Sequence, residues 1–99
     1  MRKTNSHGET VKATIIETGL ALWRMDASLA TARRIGKEIR LSHGAVLYHF
    51  GSSENMRDAI AREAVRRRDA VIVPQLIVAR HYAVADLSEA DKIGFMQGY

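Results

Sequence analysis

Residues 31–54, TARRIGKEIRLSHGAVLYHFGSSE, carry two short stretches with the periodicity of an α-helix, separated by a few residues that interrupt it. At about 100° per residue, Ile35 and Ile39 share one face of the first stretch, and Val46 and Phe50 share one face of the second. Both apolar faces are expected to be buried, which would hold the two helices together across a tight turn. The pattern therefore predicts a helix-turn-helix arrangement.

The faces opposite these apolar residues have the composition of a surface that contacts double-stranded DNA. On the first helix, Arg33, Lys37 and Arg40 fall together opposite the isoleucines. Small side chains on the second helix would let its backbone approach the floor of a groove, a leucine can contact thymine methyl groups, and tyrosine and histidine can hydrogen-bond phosphates. The residues on that outer face are Gly44, Ala45, Leu47 and Tyr48, with His43 and His49 on its flanks.

The charge distribution favours contact with a polyanion. The chain has a formal net charge of +4. Residues 1–50 hold eight Lys and Arg against four Asp and Glu, whereas residues 51–99 hold seven of each sign. All of the excess positive charge therefore lies in the half that contains the paired helices, as expected if that half meets nucleic acid.

Helical periodicity continues on both sides of this segment. Helices are predicted at about residues 9–24, 31–39, 42–49, 54–73 and 75–84, with another after Ser88. Pro74 is expected to end or sharply kink the fourth of them, because proline cannot continue a helix. The fold is thus expected to be all-α, with a flexible N-terminal arm over 1–8, a helix-turn-helix DNA-binding domain over 9–53, and a helical dimerisation region over 54–99 packed on that domain.

Other kinds of site find no support in the sequence. The chain contains no cysteine, which excludes disulfides and thiolate metal sites. His43 and His49 lie about 240° apart around their helix, which disfavours a shared metal ion. There is no pair of carboxylates, glycine-rich phosphate loop or nucleophile with a base, so no catalytic residue, cofactor or enzymatic activity is expected. A cytoplasmic location is expected, because the start MRKTNSHGE lacks the apolar core of a signal peptide and no apolar run approaches the length of a membrane span.

Residues 15–23, IIETGLALW, and residues 31–54 together resemble the DNA-binding domain of the tetracycline-repressor (TetR) family of helix-turn-helix transcriptional regulators. The first segment is similar to that family's first helix, and the second is similar, without a gap, to its second and third helices and the start of its fourth. The resemblance covers about residues 10–65 and implies a bacterial, nucleoid-associated repressor. The shared positions are Thr31, Arg33, Ile35, Leu41, Ser42, Gly44, Tyr48, His49, Phe50, Gly51, Ser52 and Glu54.

The resemblance implies a role for each matching position. Arg33 would reach a base edge or a nearby phosphate, and Thr31 would cap its helix and contact the DNA backbone. Ser53 stands where the family often has a phosphate-binding lysine. The residues that would face bases in the major groove are His43, Gly44, Ala45 and Leu47. Those that would hold phosphates are Tyr48 and His49, and Lys37 and Ser42 complete the predicted DNA-binding surface.

The chain departs from the family pattern within the same segment. Arg40 stands where the family usually has the glycine of the turn, so a left-handed backbone conformation there would be less stable. Ala45 and Leu47 replace the usual Thr and Tyr of the recognition helix, which removes two polar contacts. The loop after Trp23 is one residue shorter. Base preference therefore cannot be transferred from any relative.

Only about 45 residues follow the paired helices, whereas family members carry a long second domain that dimerises and encloses an inducer. So short a segment could not enclose a drug-sized pocket and also pack a core, and no small-molecule ligand is expected. A homodimer would place two recognition helices on the half-sites of a palindromic operator. The apolar residues predicted at the dimer interface are Val71, Ile72, Leu76, Ile77 and Tyr82.

Three further points stay open at this level. The apolar region 71–84 could instead pair with a larger related regulator, which would make the chain a protein-binding antirepressor. The run of arginines over 66–68 could be a solvated stretch that pairs with Glu63 and Asp69, or a second phosphate patch. Arg2 and Lys3 could form an arm along the DNA backbone or simply belong to a disordered terminus.

Overall fold

The computed structural model describes residues 7–97, and every regular element in that part of the chain is helical. This confirms the all-α prediction. The elements are α1 (His7–Met25), α2 (Ala32–Ile39), α3 (His43–Tyr48), α4 (Ser53–Arg66), α5 (Ile72–Val78) and α6 (Glu89–Gln97), with short 3₁₀ turns at Ala27–Leu29 and Tyr82–Val84. None of the described helices is long and apolar enough to cross a membrane. Most of the arm predicted over 1–8 lies outside the described residues.

Contacts divide the chain into two compact units, one that ends at Arg57 and one that begins at Asp58. In the first unit, α1 packs against α2, and α2 packs against α3. The apolar periodicity of the sequence accounts for this core, because the residues it aligns on the inner faces are the ones that lose their contact with water. The buried apolar side chains of this unit are those of Ile15, Leu20, Leu22, Trp23, Ala30, Ala32, Ile35, Val46 and Met56.

Hydroxyl caps begin both short helices of the pair. The Thr31 Oγ1 atom accepts a hydrogen bond of 3.1 Å from the amide of Arg34 at the start of α2. The Ser42 Oγ atom accepts one of 3.0 Å from the amide of Ala45 at the start of α3. Each bond satisfies an amide that has no partner inside its own helix. The predicted boundaries of these two helices are therefore correct to within a residue.

A close backbone approach joins α2 to α3. The amide of Leu41 donates a hydrogen bond of 2.8 Å to the carbonyl oxygen of Gly36. A Cβ atom added at Gly36 would overlap the carbonyl oxygen of Leu41 and would lie 3.4 Å from Cγ2 of Val46. Gly36 is buried in the middle of a helix, a position where glycine costs stability relative to alanine. Glycine is present there because no larger residue fits against the turn.

Arg57 holds the loop between α1 and α2 in place by hydrogen bonds to its backbone. Arg57 Nη1 donates hydrogen bonds to the carbonyl oxygens of Ala27, at 3.1 Å, and Ala30, at 2.8 Å. Its guanidinium carbon lies 4.4 Å from the centroid of the buried Trp23 ring. The arginine thus supplies donors to loop carbonyls that a helix would otherwise have satisfied, and covers the indole with a cation.

In the second unit, Pro74 plays a different role from the one predicted. α4 ends at Arg66 instead of continuing to residue 73, and Pro74 lies in the first turn of α5. The amides of a first turn have no partner within their helix, so a residue without an amide hydrogen fits there at no cost. Asp69 Oδ1 accepts from the amides of Val71 and Ile72, each at 2.9 Å, and so caps the new helix. The helix predicted over 75–84 is accordingly displaced and shorter.

The helices α2, α4 and α5 end in the same way, with an arginine in the left-handed region. The φ angles of Arg40, Arg68 and Arg80 are 64°, 55° and 56°. The amide that follows each arginine donates to a carbonyl five residues earlier, a bond that closes the helix end. These bonds join Leu41 to Gly36, Asp69 to Ala64 and His81 to Leu76. Glycine is the usual residue at such positions, because it has no Cβ to strain the backbone.

Replacing Gly36 with alanine should destabilise the protein by about 1–3 kcal/mol, because the new methyl group meets a backbone carbonyl that cannot move without opening the turn. Gly94→Ala in α6 is the matched control, since nothing lies within 4 Å of a Cβ added there. That control should be neutral or stabilising by up to about 1 kcal/mol. Chemical denaturation of both variants measures the difference, and equal stabilities would contradict the close approach.

The arginine run near the end of α4 is partly neutralised by one carboxylate. Glu63 accepts hydrogen bonds from Arg66 and Arg67, at 2.6–2.8 Å. These bonds lower the pKa of the Glu63 carboxyl to about 2 from an ordinary value of 4.5. Arg68 has a different partner from the other two arginines. It lies 3.2 Å from Oδ1 of Asp91 and over the ring of Phe95, and thereby links the end of α4 to α6.

Glu63→Gln should lower the free energy of unfolding at neutral pH by up to about 1 kcal/mol, because the arginines lose their charged partner on a largely solvated surface. A carboxyl whose pKa is depressed by folding stabilises the protein above its unfolded pKa and loses that effect as the pH falls. The gap between wild type and Glu63→Gln should therefore narrow between about pH 4.5 and pH 2. Urea titrations across this range test it, with the exposed Asp86→Asn as control. A gap that does not vary with pH would contradict the ion pair.

Candidate nucleic-acid interface

The helix α3 is anchored by one side and exposes the other. Val46 is fully buried, whereas Tyr48 keeps 84% of its surface exposed. Exposure of an aromatic side chain to this degree leaves a large apolar area in contact with water. Phe50, which the periodicity assigns to the buried side with Val46, is only half-buried and lies under the ammonium group of Lys12 at 5.6 Å.

The start of α3 offers an open surface. His43 and Gly44 are exposed, and nothing lies within 4 Å of a Cβ added at Gly44. Ala45 and Leu47 are half-buried, so each still presents part of its side chain to solvent. The side chains on this part of the helix are small or exposed, so the α3 backbone could approach the floor of a nucleic-acid groove.

The helix α2 and the residue that follows it present exposed cations. Arg33, Lys37 and Arg40 are exposed, and their side chains make no hydrogen bond, ion pair or ring contact among the described residues. The neighbouring Arg34 differs, because its Nε atom lies 3.2 Å from Oε2 of Glu38. The only carboxylate of α2 is thus engaged elsewhere on the helix. We call these cations and the exposed residues of α3 the outer surface of the α2–α3 pair.

The capping hydroxyls keep a capacity to bind. The oxygens of Thr31 and Ser42 accept from helix amides, so their hydrogens remain available to donate to an acceptor such as a phosphate. Both residues are exposed. They therefore have a structural role already, and a DNA contact would be added to it.

The segment after α3 contains the remaining predicted residues. The His49 ring packs edge-on against Tyr48, with centroids 5.6 Å apart, and is half-buried. Ser53 is exposed as the first residue of α4, and the neighbouring Ser52 provides the cap by accepting from the amide of Asn55 at 3.0 Å. All of the residues predicted to bind DNA therefore lie in the first unit, on α2, α3 and the residues that flank them.

Sequence reasoning missed the residues that hold this surface in place. Gly36 shapes the turn, Arg57 fixes the preceding loop, and Asn55 Nδ2 donates to the carbonyl oxygen of Phe50 at 3.1 Å. Gly36 had a detectable signal, because a glycine inside an amphipathic helix usually has a packing reason. The arginine and the asparagine had none, since their partners are backbone carbonyls that no sequence pattern identifies.

The residues predicted at a dimer interface differ in their burial. Ile72 and Leu76 are buried within the protomer, so they offer no surface to a second copy. Val71 and Tyr82 are about half-exposed and Ile77 is half-buried. The Tyr82 hydroxyl lies 3.1 Å from Nη2 of Arg62, and its hydrogen bond with Asp58 raises the pKa of the phenol. Ile72 and Leu76 were included because the sequence shows which residues of α5 are apolar but not which face of the helix is buried.

An open groove of about 370 Å³ lies between α5 and α6 in the second unit. Apolar side chains form most of its surface, and a glutamate and a lysine flank them. The lining residues are Ile77, Glu89, Lys92, Ile93, Met96 and Gln97. Across the described residues, no group of three or more His, Asp or Glu is arranged to hold a metal ion.

Comparisons with protein-family models, curated proteins and solved structures found no match to this chain.

Truncation of the buried and of the exposed side of α3 should change stability by very different amounts. Val46→Ala should cost about 2 kcal/mol, because it leaves a cavity in the core between the paired helices. Tyr48→Ala should change stability by less than about 0.5 kcal/mol, because the ring is exposed. Thermal unfolding of the two variants is the measurement. A destabilised Tyr48→Ala would show that the ring is packed inside the protein in solution.

Proposed function

We propose that this chain is a sequence-specific DNA-binding transcriptional repressor of the bacterial cytoplasm, similar to the TetR family, that acts as a homodimer on a palindromic operator. The observation that carries the proposal is the exposed side of α3, held outward by the burial of Val46 and bordered by exposed cations of α2. An outward helix with small residues, an exposed aromatic ring and adjacent positive charge matches what entry into a major groove requires.

The residues of α3 would provide direct readout. His43 can exchange hydrogen bonds with a base edge, and Leu47 can contact a thymine methyl group. Gly44 and Ala45 bring no bulk, so the helix backbone can approach the bases closely. Tyr48 is exposed enough for its hydroxyl to reach a phosphate at the edge of the groove.

The residues of α2 and the caps would position the helix on the duplex. Arg33 and Lys37 are charged and have no ion-pair partner among residues 7–97, so binding to phosphate would break no ion pair there. Thr31 and Ser42 could each donate a hydroxyl hydrogen to a phosphate oxygen. Such contacts give affinity that falls with salt and set the register in which α3 meets the bases.

Dimerisation follows from the small size of this surface. One helix with a single turn of base-reading residues makes few specific contacts, and a two-fold pair doubles them over half-sites about one helical turn apart, or a small multiple of it. The groove between α5 and α6 supports a second copy as partner, because Ile77 and Ile93 present apolar surface to water there, and a two-fold axis would bring the same surface of both copies together. Repression would result from exclusion of polymerase, without an inducer and under control of the protein's own concentration.

The same groove also supports a second candidate function, an antirepressor that pairs with a related regulator. The two candidates differ in one property, since an antirepressor need not bind DNA. Selection of bound duplexes from a random pool, followed by titration at several salt concentrations, separates them. The repressor proposal expects a two-fold symmetric motif and an affinity that falls steeply with salt. A purified chain that retains no duplex, yet pairs with another regulator, would favour the antirepressor.

On the selected duplex, Arg33→Ala should weaken binding by about 1–3 kcal/mol and relax base preference next to its contact. Arg34→Ala is the matched control, because it removes the same charge from the same helix at a residue that is paired with Glu38. Fluorescence anisotropy on the selected duplex and on single-base variants measures both effects. Equal affinity of wild type and Arg33→Ala for every duplex would remove Arg33 from the interface.

A further inference from the structure

We propose that Arg40, in the turn between α2 and α3, is a phosphate contact that this chain has in place of a turn glycine. The inference rests on the proposed function and adds a residue to it. Arg40 has φ 64° and ψ 42°, in the left-handed region, where a residue with a Cβ is less stable than glycine. An arginine at this position therefore needs a reason that backbone geometry does not provide.

A helix end supplies only part of that reason. A cation near the C-terminus of a helix interacts favourably with the helix dipole, and this applies equally to Arg40, Arg68 and Arg80. The three differ in their partners. Arg68 lies 3.2 Å from Oδ1 of Asp91 and over the ring of Phe95, so it has a structural role. Arg40 and Arg80 are exposed and make no such contact among the described residues.

The surroundings of Arg40 set it apart from Arg80. It follows a helix whose other free cations, Arg33 and Lys37, are also exposed, and it precedes by two residues Ser42, which caps α3. The acid on that helix, Glu38, pairs with Arg34. Positive charge therefore accumulates next to the start of α3 without internal neutralisation, and such a cluster attracts a polyanion.

The chemistry of the side chain and its place in the chain favour phosphate over a base edge. A guanidinium presents a planar set of donors that matches two phosphate oxygens at once. Arg40 belongs to the turn, whereas the residues proposed to read bases lie on α3. Phosphates line the edges of the groove that α3 would enter, so a residue beside that helix meets the backbone first.

The test compares Arg40→Gly with Arg80→Gly on the duplex selected with the wild type. Both variants remove one exposed arginine from a left-handed position at a helix end, so they change charge and backbone strain alike. Arg40→Gly should weaken binding about tenfold, equally for all sequences, and should lower the slope of log affinity against log salt by about 0.9 for each protomer bound. Arg80→Gly should bind like wild type, and Arg40→Lys should keep the wild-type slope.

Thermal unfolding checks that both glycine variants fold. If Arg40→Gly does not fold, Arg40→Asn is used in its place, because asparagine tolerates the left-handed region. If the wild type binds and Arg40→Gly binds equally well at every salt concentration, the assignment of Arg40 is overturned while the proposed function is not. The same holds if Arg80→Gly weakens binding as much, or if the loss is confined to one base pair, which would indicate a base edge. A wild type that binds no duplex overturns the proposed function and this inference together.

Discussion

The contact on which the first unit depends is the approach of the Leu41 carbonyl to the α-carbon of Gly36. It lets the chain reverse direction between α2 and α3 while Cγ2 of Val46 lies within van der Waals reach of the same glycine. Because interiors are close-packed, the distance between the two helices and the side of α3 that faces the core are then determined together. The exposure of Tyr48 is a consequence of this contact and needs no separate explanation.

The sequence predicted the first unit well because several local signals agree there. Apolar spacing placed Ile35 and Val46 in the core, and the hydroxyls of Thr31 and Ser42 marked where α2 and α3 begin. Periodicity and capping depend on residues only a few positions apart, so they can be recognised without knowledge of the fold. The DNA-binding role of the same residues remains a proposal, because exposure and charge define a surface without identifying what it meets.

Helix boundaries and buried faces were predicted less well in the second unit, because its local signals are ambiguous. A proline signals either the end of one helix or the first turn of the next, and only the cap provided by Asp69 shows which applies at Pro74. Apolar residues are frequent along α5, so composition alone could not separate Leu76, which is buried, from Ile77, which lines the groove. The left-handed backbone at the three arginines could not be predicted from the sequence either, because glycine is the residue expected at such helix ends.

Folding and the proposed binding use largely different side chains in this protein. Gly36, Val46 and Arg57 have contacts inside the first unit, whereas the Arg33 and Lys37 side chains form no hydrogen bond, ion pair or ring contact among the described residues. Substitutions at the cations should therefore alter binding with little effect on stability, because no internal interaction is lost. Thr31 and Ser42 are different, since one hydroxyl would serve both a helix amide and a phosphate. Loss of binding in their variants cannot be assigned to DNA contact until their stability has been measured, whereas at Arg33 the binding data can be interpreted directly.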